Sequence, residues 1–185
     1  LLTAPGTPFV YYGEEIGLAG SKPDERIRTP MPWTADGPGV GFTTGAPWED
    51  PDPGFTERSV AAQTGDPDSL LSLYRSLIQF RNGSAALRFG NLLTVETGND
   101  RVAAYLRSAG ADHVLVVVNL TGEAITDYSL TLAEGPLEGV TGAESIGGEP
   151  LAGILGITAT GGLAGFQPLE ELPPFAALVL QMTRG

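Results

Sequence analysis

The stretch His113-Val-Leu-Val-Val-Val-Asn-Leu120 contains five consecutive aliphatic residues, Val114 to Val118, with none of the polar alternation of a half-exposed strand. It predicts a central strand covered on both faces. On its N-terminal side Val102, Ala104 and Leu106 recur at period two; on its C-terminal side Tyr128, Leu130 and Leu132 do the same, each set bounded by glycines or polar turns. Another apolar strand is predicted after Pro173-Pro174, from Phe175 to Met182. Between Gly135 and Gly165 the chain is glycine-rich with short Ile/Leu pieces, and the pattern there assigns no strand. Several short strands without helices between them predict an antiparallel sandwich of Greek-key type over residues 91–185.

Upstream of residue 90 the periodicity is helical. Leu70, Tyr74, Leu77, Ile78 and Arg81 share one face of a helix predicted over Ser69–Asn82. Asp66-Pro67-Asp68 would cap it, and Asn82-Gly83 would end it with a left-handed pair. From Gly20 to Pro67 the chain is dense in Pro, Gly, Asp and Thr. A loop of that length is uncommon in a compact domain unless it serves a site, so a site-forming loop is expected. Thr7 to Tyr12, bounded by Pro5-Gly6 and Gly13, reads as a buried strand. It follows Leu1 so closely, with no partner nearby in sequence, that a preceding segment is expected.

At 185 residues the chain is long enough to bury roughly 68–72% of its unfolded surface, whereas 26 glycines and 15 prolines favour turn-rich structure. A net charge of −12, without a Lys/Arg cluster, argues against nucleic acid as a partner and leaves neutral ligands such as sugars permitted. The absence of cysteine excludes disulfides, thiolate metal sites and cysteine nucleophiles, and leaves the compartment undetermined. The longest apolar runs are far short of the ~20 residues that span a bilayer, so no membrane partner is expected.

Each residue type with possible chemistry has a plainer reading beside it. Glycoside hydrolysis needs two facing carboxyl groups, ~5–5.5 Å apart for retention and ~6.5–9.5 Å for inversion. Glu14 and Glu15, being adjacent, would point to opposite faces of a continued strand and could not flank one bond; structural roles are expected. His113 has no triad or zinc-type partners in sequence and is expected to be a partly exposed strand residue. Asn119-Leu-Thr121 matches a glycosylation sequon, but reads as a strand-end turn. Trp33, Phe42, Trp48 and Phe55 of the long loop suit either a platform for sugar rings or hydrophobic pins for the loop, with pinning the expectation.

Two segments carry a family resemblance: Ala4-Pro-Gly-Thr-Pro-Phe-Val-Tyr-Tyr-Gly-Glu-Glu-Ile-Gly17, followed by Asp24-Glu-Arg-Ile-Arg-Thr-Pro-Met-Pro-Trp33. Together they resemble the eighth barrel strand and following loop of the α-amylase family (glycoside hydrolase family 13). Leu70 to Asn82 resembles the family's eighth helix, and Leu172 to Leu180 the last strand of its C domain. The resemblance implies an α+β fragment, in which residues 1–90 form the last β/α unit of a (β/α)8 TIM barrel with an active-site loop and residues 91–185 form the C-terminal sandwich. It implies a retaining hydrolase of α-glucosidic bonds in malto-oligosaccharides or starch. The nucleophilic Asp, the acid/base Glu and the stabilising Asp would all lie upstream of Leu1, so this chain is expected to hold no catalytic residue and to be inactive alone.

The one site residue carried over is Arg28, which matches the arginine that in α-glucosidase-like members reaches the non-reducing-end subsite, typically pairing with an aspartate of the missing part. Its fixed fork of donors suits a carboxylate and a sugar hydroxyl together. A purely loop-fixing salt bridge is the alternative reading. Where close relatives often have Gln, this chain has Pro32. No cofactor or metal is expected within the chain, calcium being possible through the missing part. The expected partners are an α-glucan or oligosaccharide and the missing barrel segment. Two alternatives share parts of the pattern: a non-catalytic carbohydrate-binding or structural sandwich module, and a family 13 glucosyl transferase or isomerase of trehalose synthase type. Because residues 91–185 would close their own core, they are expected to fold alone while residues 1–90 expose apolar faces. Limited proteolysis should then digest the N-terminal part first, and loss of the sandwich before residues 1–90 would contradict it.

Overall fold

In the computed structural model, which describes all 185 residues, the Val114–Val118 run lies in β3 (Asp112–Asn119), the middle strand of a five-stranded sheet. The other strands are β1 (Asn91–Val95), β2 (Val102–Ala109), β5 (Gly142–Ser145) and β7 (Ala177–Thr183), in the order β1-β2-β3-β7-β5. β4 (Leu130–Leu132) and β6 (Leu163–Phe166) form a second sheet, and every strand pair is antiparallel. The tight β2–β3 turn follows from its residues: Ala109 pairs with Asp112, and Gly110 supplies the positive φ of +59° that a two-residue loop needs. β5 and β6 fall in the stretch where the sequence pattern assigned nothing.

Leu106, Leu115 and Val117 point into one cluster with Leu130, Leu163 and Phe166, so the two sheets share a core. Paired backbone hydrogen bonds between Glu96 and Thr131, at 2.9 and 2.8 Å, join the end of β1 to β4. The opposite side of β2 and β3 is covered by α3 (Ala85–Phe89), which buries Ala86 and Leu87. That cover is why β3 needs no polar alternation. Ser84 caps α3 by accepting from the Leu87 amide at 3.2 Å, and Asp112 accepts from Ser84 Oγ at 2.7 Å and the Ala86 amide at 2.9 Å. Burial alone would raise the Asp112 pKa; the bonds from Ala86, Ser84, Gln181 and Ala85 outweigh it and hold the carboxyl below its ordinary value.

The chain divides by its contacts into two compact units, one of Leu1–Leu2 with Thr7–Phe80 and one of Thr3–Gly6 with Arg81–Gly185. Segment 3–6 belongs to the second because arginines hold its carbonyls. Arg107, 1% exposed, donates to Thr3 O at 2.7 Å, Gly90 O at 3.0 Å and Leu87 O at 3.2 Å. Arg81 donates to Ala4 O at 3.0 Å and Gly6 O at 2.6 Å. Asn119 is likewise buried: its Nδ2 donates to Glu123 O, Leu172 O and Pro173 O, and its Oδ1 accepts from the Thr121 amide. The sequon is therefore a strand-end turn whose amide nitrogen is enclosed by protein acceptors.

Several expectations require correction. Thr7 to Tyr12 forms no strand and is largely exposed, Phe9 to 84% of its surface, because no other strand of the chain lies beside it to complete a ladder. The helix α2 (Leu70–Gly83) is present, but Ser69 caps it, accepting from the Ser72 amide at 3.2 Å, in place of Asp66. Gly83 is not left-handed, since the chain runs directly into the Ser84 cap of α3. Of the expected apolar face, Arg81 is buried whereas Leu70 and Ile78 are exposed. The last strand starts at Ala177, because Phe175 adopts a φ of +54° and stays in solvent.

His113 is fully buried rather than partly exposed. Its Nδ1 meets Ser108 Oγ at 3.0 Å, and its Nε2 has no partner. Burial, followed by the positive charge of Arg184, pushes its pKa down against the opposing pull of Asp112. The neutral ring is the folded form, so this contribution to stability is complete above the unfolded value near 6.5 and is lost as pH falls below it. Urea midpoints of the 91–185 core, followed by far-UV circular dichroism, should drop as pH falls below about 6.5. His113→Gln should flatten that slope; an unchanged slope would contradict the assignment.

Candidate functional site

Residues 13–71 are held by polar side chains around a small apolar cluster of Ile16, Met31 and Leu71, with Leu18 and Val60 against it. Gln63, at the end of α1 (Val60–Gln63), donates to Ile16 O at 2.8 Å and accepts from the Leu71 amide at 3.0 Å. One side chain thereby ties the turn after Gly13 to both helices. The Val60 and Ala61 amides donate to Pro32 O and Trp33 O at 2.9 and 3.0 Å, fixing the Arg28–Trp33 strip to α1.

The far end of the loop is fixed by Asp52, only 2% exposed. Its carboxylate accepts two bonds from Arg58, Nε at 2.7 Å and Nη2 at 2.8 Å, plus the amides of Gly54 at 3.1 Å and Ala19 at 3.3 Å. Burial would raise this carboxyl; the bonds from Arg58, Gly54 and Ala19 overcome it and hold the pKa below the ordinary value. The bidentate geometry is the strong form of an ion pair.

Within this frame Tyr12, Arg28, Thr29, Met31, Phe42 and Trp48 line a pocket of about 290 Å³, together with Pro30. The Tyr12 hydroxyl donates to Thr29 O at 3.1 Å. Arg28 sits 3.5 Å from Asp24, whose other carboxylate oxygen meets Lys22. The Arg28 side chain is 58% exposed, so that ion pair is a weak restraint and leaves the guanidinium available to a ligand. Phe42 is 55% and Trp48 60% exposed. The pocket thus combines aromatic faces, a cation and a phenol, a mixture suited to a ligand with flat apolar faces and a hydroxyl rim.

Within this chain Trp33, Phe42 and Trp48 are each more than half exposed, whereas Phe55 is half-buried. Phe42 and Trp48 join Arg28 in the pocket; Trp33 and Phe55 do not. Tyr12, Thr29 and Met31 were not nominated from sequence. Tyr12 and Met31 lie within the quoted motifs, where an aromatic and a flexible apolar residue flank the arginine strip. Glu14 and Glu15 fall in a 3-10 turn, Glu14–Ile16, rather than on a strand. Glu14 accepts from the Tyr11 amide at 3.3 Å, while one oxygen of half-buried Glu15 has no partner. No group of three or more His, Asp or Glu side chains converges as a metal site would require, and no helix is long and apolar enough to cross a membrane.

Comparison with known proteins points one way. The family model for the α-amylase catalytic domain matches residues 1–90. α-Amylase 3 of Dictyoglomus thermophilum is 38% identical over 121 residues, 64% of this chain and 24% of that protein. A probable α-glucosidase of Rhizobium meliloti is 33% identical over 158 residues, 75% of this chain and 28% of that one. Trehalose synthase of a Pimelobacter species is 32% identical over 167 residues, 83% and 29% respectively. Among solved structures, trehalulose synthase MutB from Pseudomonas mesoacidophila MX-45 aligns with a TM-score of 0.71 at 27% identity, over 98% of this chain and 36% of that one. The chain spans about a quarter of the length of the curated relatives it matches.

Removing one side of the Asp52 pair tests what holds the loop. Arg58→Met should destabilise residues 7–80 by about 2–3 kcal/mol, because a buried carboxylate loses its charged donors. Both tryptophans, Trp33 and Trp48, lie in that unit, so urea unfolding followed by their fluorescence reads it selectively. A midpoint equal to wild type would show that Asp52 does not hold the loop.

Proposed function

Because this chain belongs to the α-amylase family, glycoside hydrolase family 13, we propose that it is the C-terminal part of a retaining enzyme that cleaves α-glucosidic bonds in malto-oligosaccharides or starch. The observation that carries the reading is the loop pocket in which Arg28 stands beside Tyr12, Phe42 and Trp48. In this reading residues 1–90 complete a (β/α)8 barrel and residues 91–185 form a Greek-key C-terminal sandwich. The exposed apolar segment Phe9–Tyr12 supports the first assignment, since its side chains and backbone groups have the character of a strand awaiting neighbours.

Arg28 binds a hydroxyl of the terminal glucosyl unit with one arm of its guanidinium and an upstream aspartate with the other. Asp24, its present partner, is exposed and readily replaced. The aromatic side chains exclude water from one side of the ring, which strengthens the polar contacts on the other. The nucleophile, the acid/base and the transition-state-stabilising carboxylate belong to the upstream barrel strands, so the 185-residue chain alone is inactive. This chain needs no cofactor for these roles; any calcium would be held by the upstream part.

A second reading follows from the similarity to trehalose synthase over 83% of the chain. An isomerase of that type cleaves the same kind of bond, but returns the glucosyl group to a sugar hydroxyl instead of water. The two readings part at the product. The full-length polypeptide should release glucose or shorter oligosaccharides from maltose, maltodextrin and starch; conversion of maltose to an isomeric disaccharide would favour the second reading. Lack of activity on every α-glucoside would overturn both.

A further inference from the structure

We propose that Trp48, together with Phe42, forms a ring-stacking wall that determines specificity for one terminal sugar ring, and that the strained turn at Val40 is the device that positions Phe42. This deepens the reading of the Arg28 pocket as an α-glucoside site and rests on it.

The starting observation is backbone strain. Val40 is completely buried, yet has a φ of +43°, in the left-handed region that a β-branched residue rarely occupies. Such strain persists only where the surroundings over-determine it, and it concentrates at ligand-binding positions. Here they do over-determine it. The Val40 carbonyl accepts from the amides of Trp33 at 2.8 Å and Thr34 at 3.0 Å, and its own amide donates to Gly37 O at 3.2 Å. The Phe42 amide then donates to Gly39 O at 2.7 Å. Gly39 allows this closure because a Cβ there would sit 1.9 Å from Thr43 O. The turn is rigid, its interior residue is Val40, and the side chain it delivers to the pocket is Phe42.

Within this chain Phe42 and Trp48 keep more than half of their surface while lining the pocket, so their ring faces stand open to a ligand there. A pyranose ring explains them: its C–H face lies flat on an indole or phenyl ring, and its hydroxyl edge meets Arg28 and the Tyr12 oxygen. At about 290 Å³ the pocket falls at the lower end of small-molecule sites, which suits one ring rather than an extended chain. With Asp24 3.5 Å from Arg28, a neutral ligand is favoured over an anionic one.

The test is steady-state kinetics of the full-length polypeptide on maltose with four variants. Trp48→Ala should raise KM about ten-fold with kcat within about two-fold of wild type, the signature of lost ring binding. Trp48→Phe should recover most of the affinity, whereas Trp48→Leu, which keeps apolar volume without a flat face, should behave like the alanine variant. Val40→Gly relieves the left-handed strain but empties a buried site and loosens the turn; assayed well below its own thermal midpoint, it should raise KM. An unchanged KM in Trp48→Ala, or full recovery by leucine, would overturn the stacking wall. A wild-type KM in Val40→Gly would overturn the positioning role. A wild-type polypeptide inert on all α-glucosides would instead remove the functional reading, and the wall with it.

Discussion

Asp52 is a carboxylate taken out of water, and the pocket-bearing loop depends on the donors that meet it there: two from Arg58 and one each from the Gly54 and Ala19 amides. Without them burial would favour the neutral acid and the loop would lose its anchor. The apolar cluster beneath is only Ile16, Met31 and Leu71, too little to hold about fifty residues of irregular chain by area alone. Directional polar contacts do that work instead. Gln63 ties three segments together, Val40 closes the tip, and the Pro32 and Trp33 carbonyls seat the arginine strip on α1.

The second unit follows the opposite economy. Seventeen buried hydrophobic residues from both sheets make one core, and polar groups enter it only where backbone acceptors await them. Arg107 and Asn119 are the examples: each serves several carbonyls that irregular chain would otherwise leave unpaired. Two nitrogens here stay without a partner, Nε of Arg107 and Nε2 of His113. The neutral ring tolerates this and the charged ring does not, which confines the pH sensitivity of this unit to the acid side.

Period-two alternation and the Val114–Val118 run made β2, β3 and the core side of β4 legible, because in each the side-chain pattern follows burial on the pleat. β5 and β6 escaped for a physical reason: they are four residues each and pair with strands distant in sequence, β5 (Gly-Ala-Glu-Ser) has no large apolar residue, and β6 (Leu-Ala-Gly-Phe) spaces its two buried residues three apart instead of two. The segment Thr7–Tyr12 was read as a strand from its β-branched and aromatic content, but propensity cannot supply a partner ladder. His113 reads as partly exposed in sequence because it follows Asp112 at the polar start of its strand; on the pleat its side chain shares the β3 face of Leu115 and Val117, turned toward the second sheet, of which β6 gave no sequence signal. For the site, the motifs singled out Arg28, and the loop composition named four aromatics, Trp33, Phe42, Trp48 and Phe55, without separating the two that line the pocket. Their meeting in one pocket depends on the Val40 turn, whose positive φ nothing in the residue type announces.

Family membership and pocket geometry support each other without being the same observation. The first rests on matches that run through the catalytic-domain segment and beyond it, the second on an arginine and aromatic faces held open by a braced loop. The most direct measurement is a crystal structure of the full-length polypeptide with a slowly cleaved α-glucoside analogue. The pocket assignment predicts that the Arg28 guanidinium donates to a hydroxyl of the terminal ring while the flat face of that ring lies on Trp48. A ring bound elsewhere, with Arg28 still facing only Asp24 and the pocket empty, would contradict it.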